Sequence, residues 1–321
     1  MEFYLLKSEE TNPHLNLSWE EYLLNKLAPD HCVFYLWQND STVVIGKNQE
    51  AAAECDLKAM KKDGITLARR CTGGGAVYHD LGNLNFSFLM PNEIYDVKRQ
   101  LGVIVEALNR LDIRAEISGR NDLTVDGAKI SGNAFITRKN HSLHHGTLLV
   151  NTDFSAMGKY LTPSVYKLRK KAVSSVASRV TNLASPSVEE LQVALISAFA
   201  TVYDCKLEDL KGGFDITDYL SKHQDPTYLY GSEKLKTSQI EGIYDESYYK
   251  FAFNVEAERI KDLAIYSDSL SDEVSDLLDL LPGKGREELP TILAKCFSSA
   301  ATARLTAELR DLLLAKKSDI G

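Results

Sequence analysis

Cysteine is scarce in this sequence and never paired. Cys32, Cys55, Cys71, Cys205 and Cys296 are odd in number and scattered, with no CxxC spacing. That argues against a disulfide framework or a structural zinc site and fits a reducing, cytoplasmic setting. Long apolar runs are absent too. None reaches the length that spans a bilayer, and the opening MEFYLLKSEE meets Lys7, Glu9 and Glu10 too soon for the apolar core of a secretory signal. No membrane partner is expected. Positive charge is in deficit: with 37 Lys and Arg against 45 Asp and Glu, the formal charge is −8, the wrong sign for a general nucleic-acid binder. The one basic cluster, Lys167, Arg169, Lys170 and Lys171, reads by itself as a solvated charge run. Repeats, low-complexity tracts and long linkers are also missing.

What is present is an ordinary globular composition, 44% apolar and 26% charged, in 321 residues, room for one large domain with a smaller companion. Runs 33–37 and 42–45 flank Asn39 and Asp40 and predict a hairpin. A short helix is expected from Asp56 to about Gly64. Runs 65–68, 76–78 and 85–89 predict strands, while 94–111 has helical apolar spacing. Runs 123–125 and 128–130 enclose Asp126 and Gly127, the mark of a two-residue hairpin. Alternation places Asp122, Thr124, Lys129 and Ser131 on one face of it. Ser187 and Glu190 form a capping box ahead of LQVALISAFATV. Past Asp245 a further hairpin over 248–255 and 260–266 precedes leucine-rich helical stretches. The mixture predicts an α+β fold divided as 1–245 and 246–321.

The most informative stretch runs Arg69, Arg70, Cys71, Thr72, Gly73, Gly74, Gly75, Ala76, Val77, Tyr78, His79, Asp80. Three successive residues without Cβ let backbone N–H groups approach a ligand closely, and two forked guanidinium groups suit a phosphate or carboxylate. A glycine run alone also serves as a plain surface connection. The flanking residues favour an anion loop joining two strands.

This stretch, RRCTGGGAVYHDLGNLNFSF, is followed by GRNDLTVDGAKISGNAF at 119–135, HHGTLLVN at 144–151 and SSVASRVTNL at 174–183. In that order the four blocks resemble the lipoate-protein ligase family of the lipoyl and biotinyl ligase superfamily, and match lipoate enzymes better than biotin ligases. The resemblance implies a large mixed-sheet catalytic domain of that type with a small C-terminal α+β domain. It implies ATP with Mg2+ (magnesium), and lipoate activated as lipoyl-adenylate. The acyl group then passes to a lysine on a carrier: a lipoyl domain of a 2-oxoacid dehydrogenase acyltransferase subunit, or the glycine-cleavage H protein. Carried over residue by residue, Arg70, Thr72, Gly73, Gly74, Gly75, Ala76, Val77, Tyr78, Asn83, His145, Gly146 and Arg179 hold ATP and the acyl-adenylate. Lys129, in GAKISG, becomes the catalytic cation that neutralises carboxylate and α-phosphate as charge redistributes, although a hairpin lysine alone is simply solvated. Asp122 becomes an adenylate contact and the magnesium ligand, since that hard ion prefers carboxylate and phosphate oxygens. Alone, it reads equally as a turn-side acceptor. Residues 167–180 resemble the family's adenylate-covering loop, whose closure keeps water from a mixed anhydride.

The chain also departs from the family pattern. Large ligases commonly carry a tryptophan and a proline around a glycine before the small domain, where this chain reads TYLYGSEKL with Tyr230 and Gly231. Ser267, in IYSDSL, stands where a glycine is usual. These departures bear on acceptor choice and on coupling between domains. Two competing readings stand beside the ligase. An octanoyl or lipoyl acyltransferase would need an activated thiolate, yet no cysteine lies between Cys71 and Cys205. A silent lipoate-binding protein would have little use for Lys129, Asp122 and a complete glycine loop.

Overall fold

The computed structural model describes residues 1–119, 122–162, 180–183, 185–211, 213–231 and 236–315. The chain opens with β1 (Glu2–Lys7), α1 (Pro13–Lys26), β2 (His31–Trp37), β3 (Thr42–Ile45), α2 (Ala51–Glu54), α3 (Leu57–Asp63), β4 (Thr66–Arg69) and β5 (Val77–His79). Next come β6 (Asn83–Pro91), α4 (Val97–Asn109), β7 (Glu116–Ser118), β8 (Asp122–Val125), β9 (Ala128–Thr137), β10 (His141–Leu149) and α5 (Phe154–Tyr160). Then follow α6 (Val188–Tyr203), β11 (Glu208–Asp209), α7 (Thr217–Gln224) and α8 (Pro226–Tyr230). The last elements are β12 (Ser238–Tyr244), β13 (Ser247–Glu256), β14 (Arg259–Ser267), α9 (Glu273–Leu280), α10 (Leu289–Leu293) and α11 (Ser299–Ala315).

The large sheet has the order β11-β1-β2-β6-β10-β9-β8-β7, with smaller sheets β4-β3-β5 and β12-β13-β14 beside it. It is mixed, because β1 runs parallel to β2 while β2, β6, β10, β9 and β8 pair antiparallel. The fold is α+β, as the mixture of runs predicts. Alternation along β2 explains why it lies inside. Cys32, Phe34 and Leu36 join the core under α4 and α6, whereas Val33, Tyr35 and Trp37 join the core with α1. A strand apolar on both faces is stable only when both are covered. Phe34, Phe86, Phe88 and Phe199 are fully buried in the first of these cores, each contributing about 2–3 kcal/mol of burial.

Several local features are as the sequence predicts. Asp56 caps α3 and Gly64 ends it at φ 75°. Ser187 and Glu190 form the reciprocal capping box of α6, and Asp126 and Gly127 turn with positive φ. The hairpin over 33–37 and 42–45 does not form. The chain is diverted between them where Asn16 Nδ2 donates to Gln38 O and Asn39 Oδ1, Asp40 N–H donates to Thr11 O, and Ser41 adopts φ 43°. β3 therefore leaves β2 and pairs with β4 and β5. Strict alternation in the β8–β9 hairpin also fails. A register shift between Leu123 and Thr124 sets Ser131 opposite Leu123, and Ser131 is fully buried.

Phe251, Phe253, Leu277, Leu305 and Leu309 belong to a further core at the C-terminal end. Its sheet takes in β12, upstream of the expected division at Asp245, and the alternating burial of SQIEGIY is the signal for that strand. Among the described residues no helix is long and apolar enough to cross a membrane.

α1 is tied to α7 by Glu21, which accepts from Lys222 Nζ (2.6 Å) and His223 Nε2 (3.0 Å). Burial raises its carboxyl pKa, but the two hydrogen-bonded bases outweigh that and hold it at about 2. Unfolded, the group titrates near 4.5. Ionised Glu21 therefore favours the folded state fully above that pH, and the contribution is lost as pH falls through about 2. Glu21→Gln is expected to cost on the order of 2 kcal/mol at neutral pH, with the gap to wild type shrinking on acidification below 4.5. Urea melts across that range are the check, and a pH-independent gap would count against the ion pair.

Candidate active site

β4 and β5 lie on opposite edges of β3, one parallel and one antiparallel. Residues 70–76 must therefore cross the end of the small sheet. Gly74 takes φ 90°, and a Cβ there would lie 2.9 Å from Arg70 Nη2 and 3.0 Å from Leu270 Cδ2. Arg70 braces the loop from behind. Its Nε donates to Thr72 Oγ1 (3.0 Å), and Nη2 donates to Gly73 O (2.7 Å) and Gly75 O (2.8 Å). Burial lowers the Arg70 pKa to about 10, so it stays charged at neutral pH.

Arg69 does not serve an anion, contrary to the sequence expectation. Its guanidinium donates to the carbonyls of Gly46, Lys47, Gln49, Tyr228 and Leu229. It ties the start of the loop to α8.

Beside the loop is a cavity of about 280 Å³. Arg70, Gly74, Gly75, Ala76, Val77, Lys129, His145 and Gly146 are on its wall. Thr72, Gly73, Tyr78, Asn83 and Asp122 are not among the residues of the wall. Alternation along β5 sends Val77 and His79 to the cavity and turns the Tyr78 ring onto Tyr160. Asn83 Nδ2 donates to Asn85 Oδ1 (3.0 Å), and Asn85 is on the wall. Lys129 Nζ pairs with Asp122 Oδ1 at 2.7 Å, and the Lys129 carbonyl accepts from Thr181 N–H (2.9 Å). Asn182 anchors that segment through reciprocal bonds to Thr152 N–H and O, both 3.0 Å. Arg179 and residues 167–179 of the expected covering loop lie outside the described residues.

Sequence reasoning missed the apolar half of the wall: Leu17, Trp37, Val44, Ala134 and Leu270. Alternation in β2 is a usable signal for Trp37. Nothing local marks Leu270, which arrives from the connection after β14. There Ser269 O accepts from Gly74 N–H (3.0 Å). Ser267 secures the connection, its N–H donating to Asn48 O and its hydroxyl to Tyr248 O.

Polar chains stand behind the wall. His145 Nδ1 donates to Glu20 Oε1 (2.9 Å), and its Nε2 lies 2.8 Å from Thr72 Oγ1. Trp37 Nε1 donates to Ser87 Oγ (3.0 Å), which donates to Glu20 Oε1. Asn39 Nδ2 donates to His79 Nδ1 (3.2 Å), and burial with the nearby Arg70 charge lowers the His79 pKa to about 3. His144, one residue from His145, faces the opposite core against Phe88 and is neutral for the same reason of burial, at about 3.

The cavity thus joins an apolar wall to a braced glycine loop with a lysine at one side. The family model for the lipoyl protein ligase A/B catalytic domain matches residues 12–200, and the chain belongs to that family. A lipoate-protein ligase A from Bdellovibrio bacteriovorus is 40% identical over 310 residues, covering 90% of this chain and 91% of that protein. One from Psychrobacter cryohalolentis is 38% identical over 87% of each chain. Among solved structures, P. falciparum LipL1 in complex with lipoate superposes with TM-score 0.81 at 31% identity, covering 98% of this chain and 99% of its own. A lipoate-protein ligase A bound with ATP gives 0.63 at 29%, covering 72% and 99%.

Gly74→Val forces a β-branched side chain into a left-handed backbone against Arg70 and Leu270, and is expected to cost about 2–4 kcal/mol. Gly75→Ala meets nothing within 4 Å and is expected to stay within about 0.5 kcal/mol. Denaturant melts of both variants check this, and equal stabilities would show that the loop is not packed as described.

Proposed function

We propose that this chain is an ATP-dependent lipoate-protein ligase of the cytoplasm. It activates lipoate as lipoyl-adenylate with release of pyrophosphate, then acylates a lysine on a lipoyl carrier domain. The observation that carries this reading is the single cavity in which apolar Leu17, Trp37, Val44 and Val77 meet the glycine loop and Lys129. Such a pocket suits a fatty chain at one end and a carboxylate with phosphate at the other. Relatives described with lipoate and with ATP support it.

In the first step a lipoate carboxylate oxygen bonds to the α-phosphorus of ATP and the bond to pyrophosphate breaks. Two anions must be held together, and Lys129 supplies the fixed positive charge between them. Asp122 orients that lysine through the 2.7 Å pair. Asp122 belongs to no cluster of three or more metal-ligating side chains among the described residues. Asp122 would offer a magnesium ion a single carboxylate, one whose Oδ1 already pairs with Lys129, so phosphate oxygens would have to supply the remaining ligands; when bound, the ion would screen the phosphate charges.

In the second step a carrier lysine attacks the acyl carbon and AMP leaves. A bi-partite ligase from Thermoplasma acidophilum, described together with its E2 lipoyl domain, matches at 30% identity with TM-score 0.65 over 74% of this chain. It favours a lipoyl domain as the acceptor. A thioester-forming acyltransferase is disfavoured, since burial pushes the Cys71 thiol far up and raises Cys205 as well.

Lys129→Ala is expected to reduce lipoate-dependent exchange of labelled pyrophosphate into ATP by at least about a hundredfold, with little change in melting temperature. Near-normal exchange would remove Lys129 from the chemistry.

We also propose that the C-terminal sheet and helices form an accessory module. A chain ending before Ser238 keeps Lys129 but loses Asp268 and Leu270 from the cavity wall and the Ser269 contact to Gly74, so adenylate formation is expected to fall, and transfer to the carrier to fall further, because the carrier must be oriented from outside. Both half-reactions on a folded truncation test this. Loss of adenylation with survival of transfer from preformed lipoyl-adenylate would reverse it.

A further inference from the structure

The turn of α1 that brings Leu17 to the cavity also brings Glu20 to the sheet, three residues on and on the same helix face. Glu20 is 1% exposed. We propose that it is a positioning residue for the acyl substrate: one buried carboxylate orients Trp37 through Ser87, sets the tautomer of His145 and, through Thr72, steadies Arg70 behind the glycine loop. The inference rests on reading the cavity as the acyl pocket.

Every proton in this chain of bonds runs toward Glu20. The Trp37 indole N–H goes to Ser87 Oγ, and the Ser87 proton goes to Glu20 Oε1. With its N–H spent on Ser87, the indole presents an apolar surface to the cavity. His145 Nδ1–H also goes to the carboxylate. Its Nε2 is thereby an acceptor and takes the Thr72 hydroxyl proton (2.8 Å), while Thr72 Oγ1 accepts from Arg70 Nε (3.0 Å). A histidine with both nitrogens committed holds the wall rather than moving protons. Removing the carboxylate leaves a hydroxyl and an imidazole N–H buried without their acceptor, so both neighbours would turn to find another. Trp37 and His145 are one or two bonds from Glu20, while the loop arginine is three away. Acyl recognition should therefore suffer more than nucleotide recognition.

The test uses the full chain with Glu20→Ala, Glu20→Gln and Ser87→Ala. KM values for lipoate and ATP come from pyrophosphate exchange, and the Trp37 indole N–H proton is followed by NMR in a Trp19→Phe background. Glu20→Ala is expected to raise the lipoate KM about tenfold, the scale of one lost buried hydrogen bond, to change the ATP KM less, and to move the indole resonance. Glu20→Gln keeps an acceptor for His145 and is expected to recover most of the lipoate KM. An unchanged lipoate KM and indole resonance in Glu20→Ala would overturn the proposal. So would a Gln variant as impaired as Ala, which would make Glu20 only a counter-charge to Arg70. Should Glu20→Ala not fold, Ser87→Ala decides: a raised lipoate KM upholds the Trp37 branch, and a wild-type value overturns it. If the wild-type protein shows no lipoate-dependent exchange, the functional reading has failed, and the indole resonance still decides whether Glu20 positions Trp37.

Discussion

The guanidinium of Arg70 is buried at the centre of its own loop, and the site is organised around keeping it there. Burying a charge is costly unless its donors are all met. Here Nε and Nη2 are met by the hydroxyl of Thr72 and the carbonyls of Gly73 and Gly75, and Nη1 donates to Val44 O at 3.4 Å. The Thr72 carbonyl accepts from Lys47 N–H as well. The carbonyls of Thr72, Gly73 and Gly75 are thus occupied within the protein. The glycines follow from the same arrangement, since only a backbone without Cβ at Gly74 leaves room for the guanidinium that braces it.

Strand alternation divides labour between core and site without any special sequence. In β10, His144 is held among Phe86, Phe88 and Phe135, while His145, one residue on, lines the cavity. In β6, Phe86 and Phe88 build the core, and Ser87 between them anchors Trp37. A residue's neighbours along the chain therefore support the site from the opposite side. Rigid packing of the phenylalanines is what holds the polar network in register.

The cavity is not the property of the large sheet alone. Leu270 and Asp268 complete its wall from the connection after β14, and Ser269 O occupies the Gly74 N–H. Ser267 gives that connection a side-chain hydrogen bond, its hydroxyl donating to Tyr248 O. Lys250 and Glu50, paired at 2.6 Å, add a further tie between the two parts of the chain. The C-terminal segment therefore packs on the same stretch of loop that walls the cavity.

By itself the sequence determined whatever depends on neighbours along the chain. The Asp56 and Gly64 helix ends, the Ser187 capping box, the Asp126–Gly127 turn and the glycine loop between strands are all set by φ preferences and hydrogen bonds spanning a few residues. The order of four motif blocks also carried the family. Tertiary structure decided the rest, because burial partners come from distant segments. Arg69 and Arg70 are adjacent and chemically identical, yet α8 arrives over one and the loop closes over the other, so both become braces of different parts. The expected β2–β3 hairpin gave way to a sheet change once Asn16, from α1, captured the connection. Trp37, Leu17 and Leu270 share one wall only because α1, the large sheet and the C-terminal module converge there, a fact of packing that no local pattern contains.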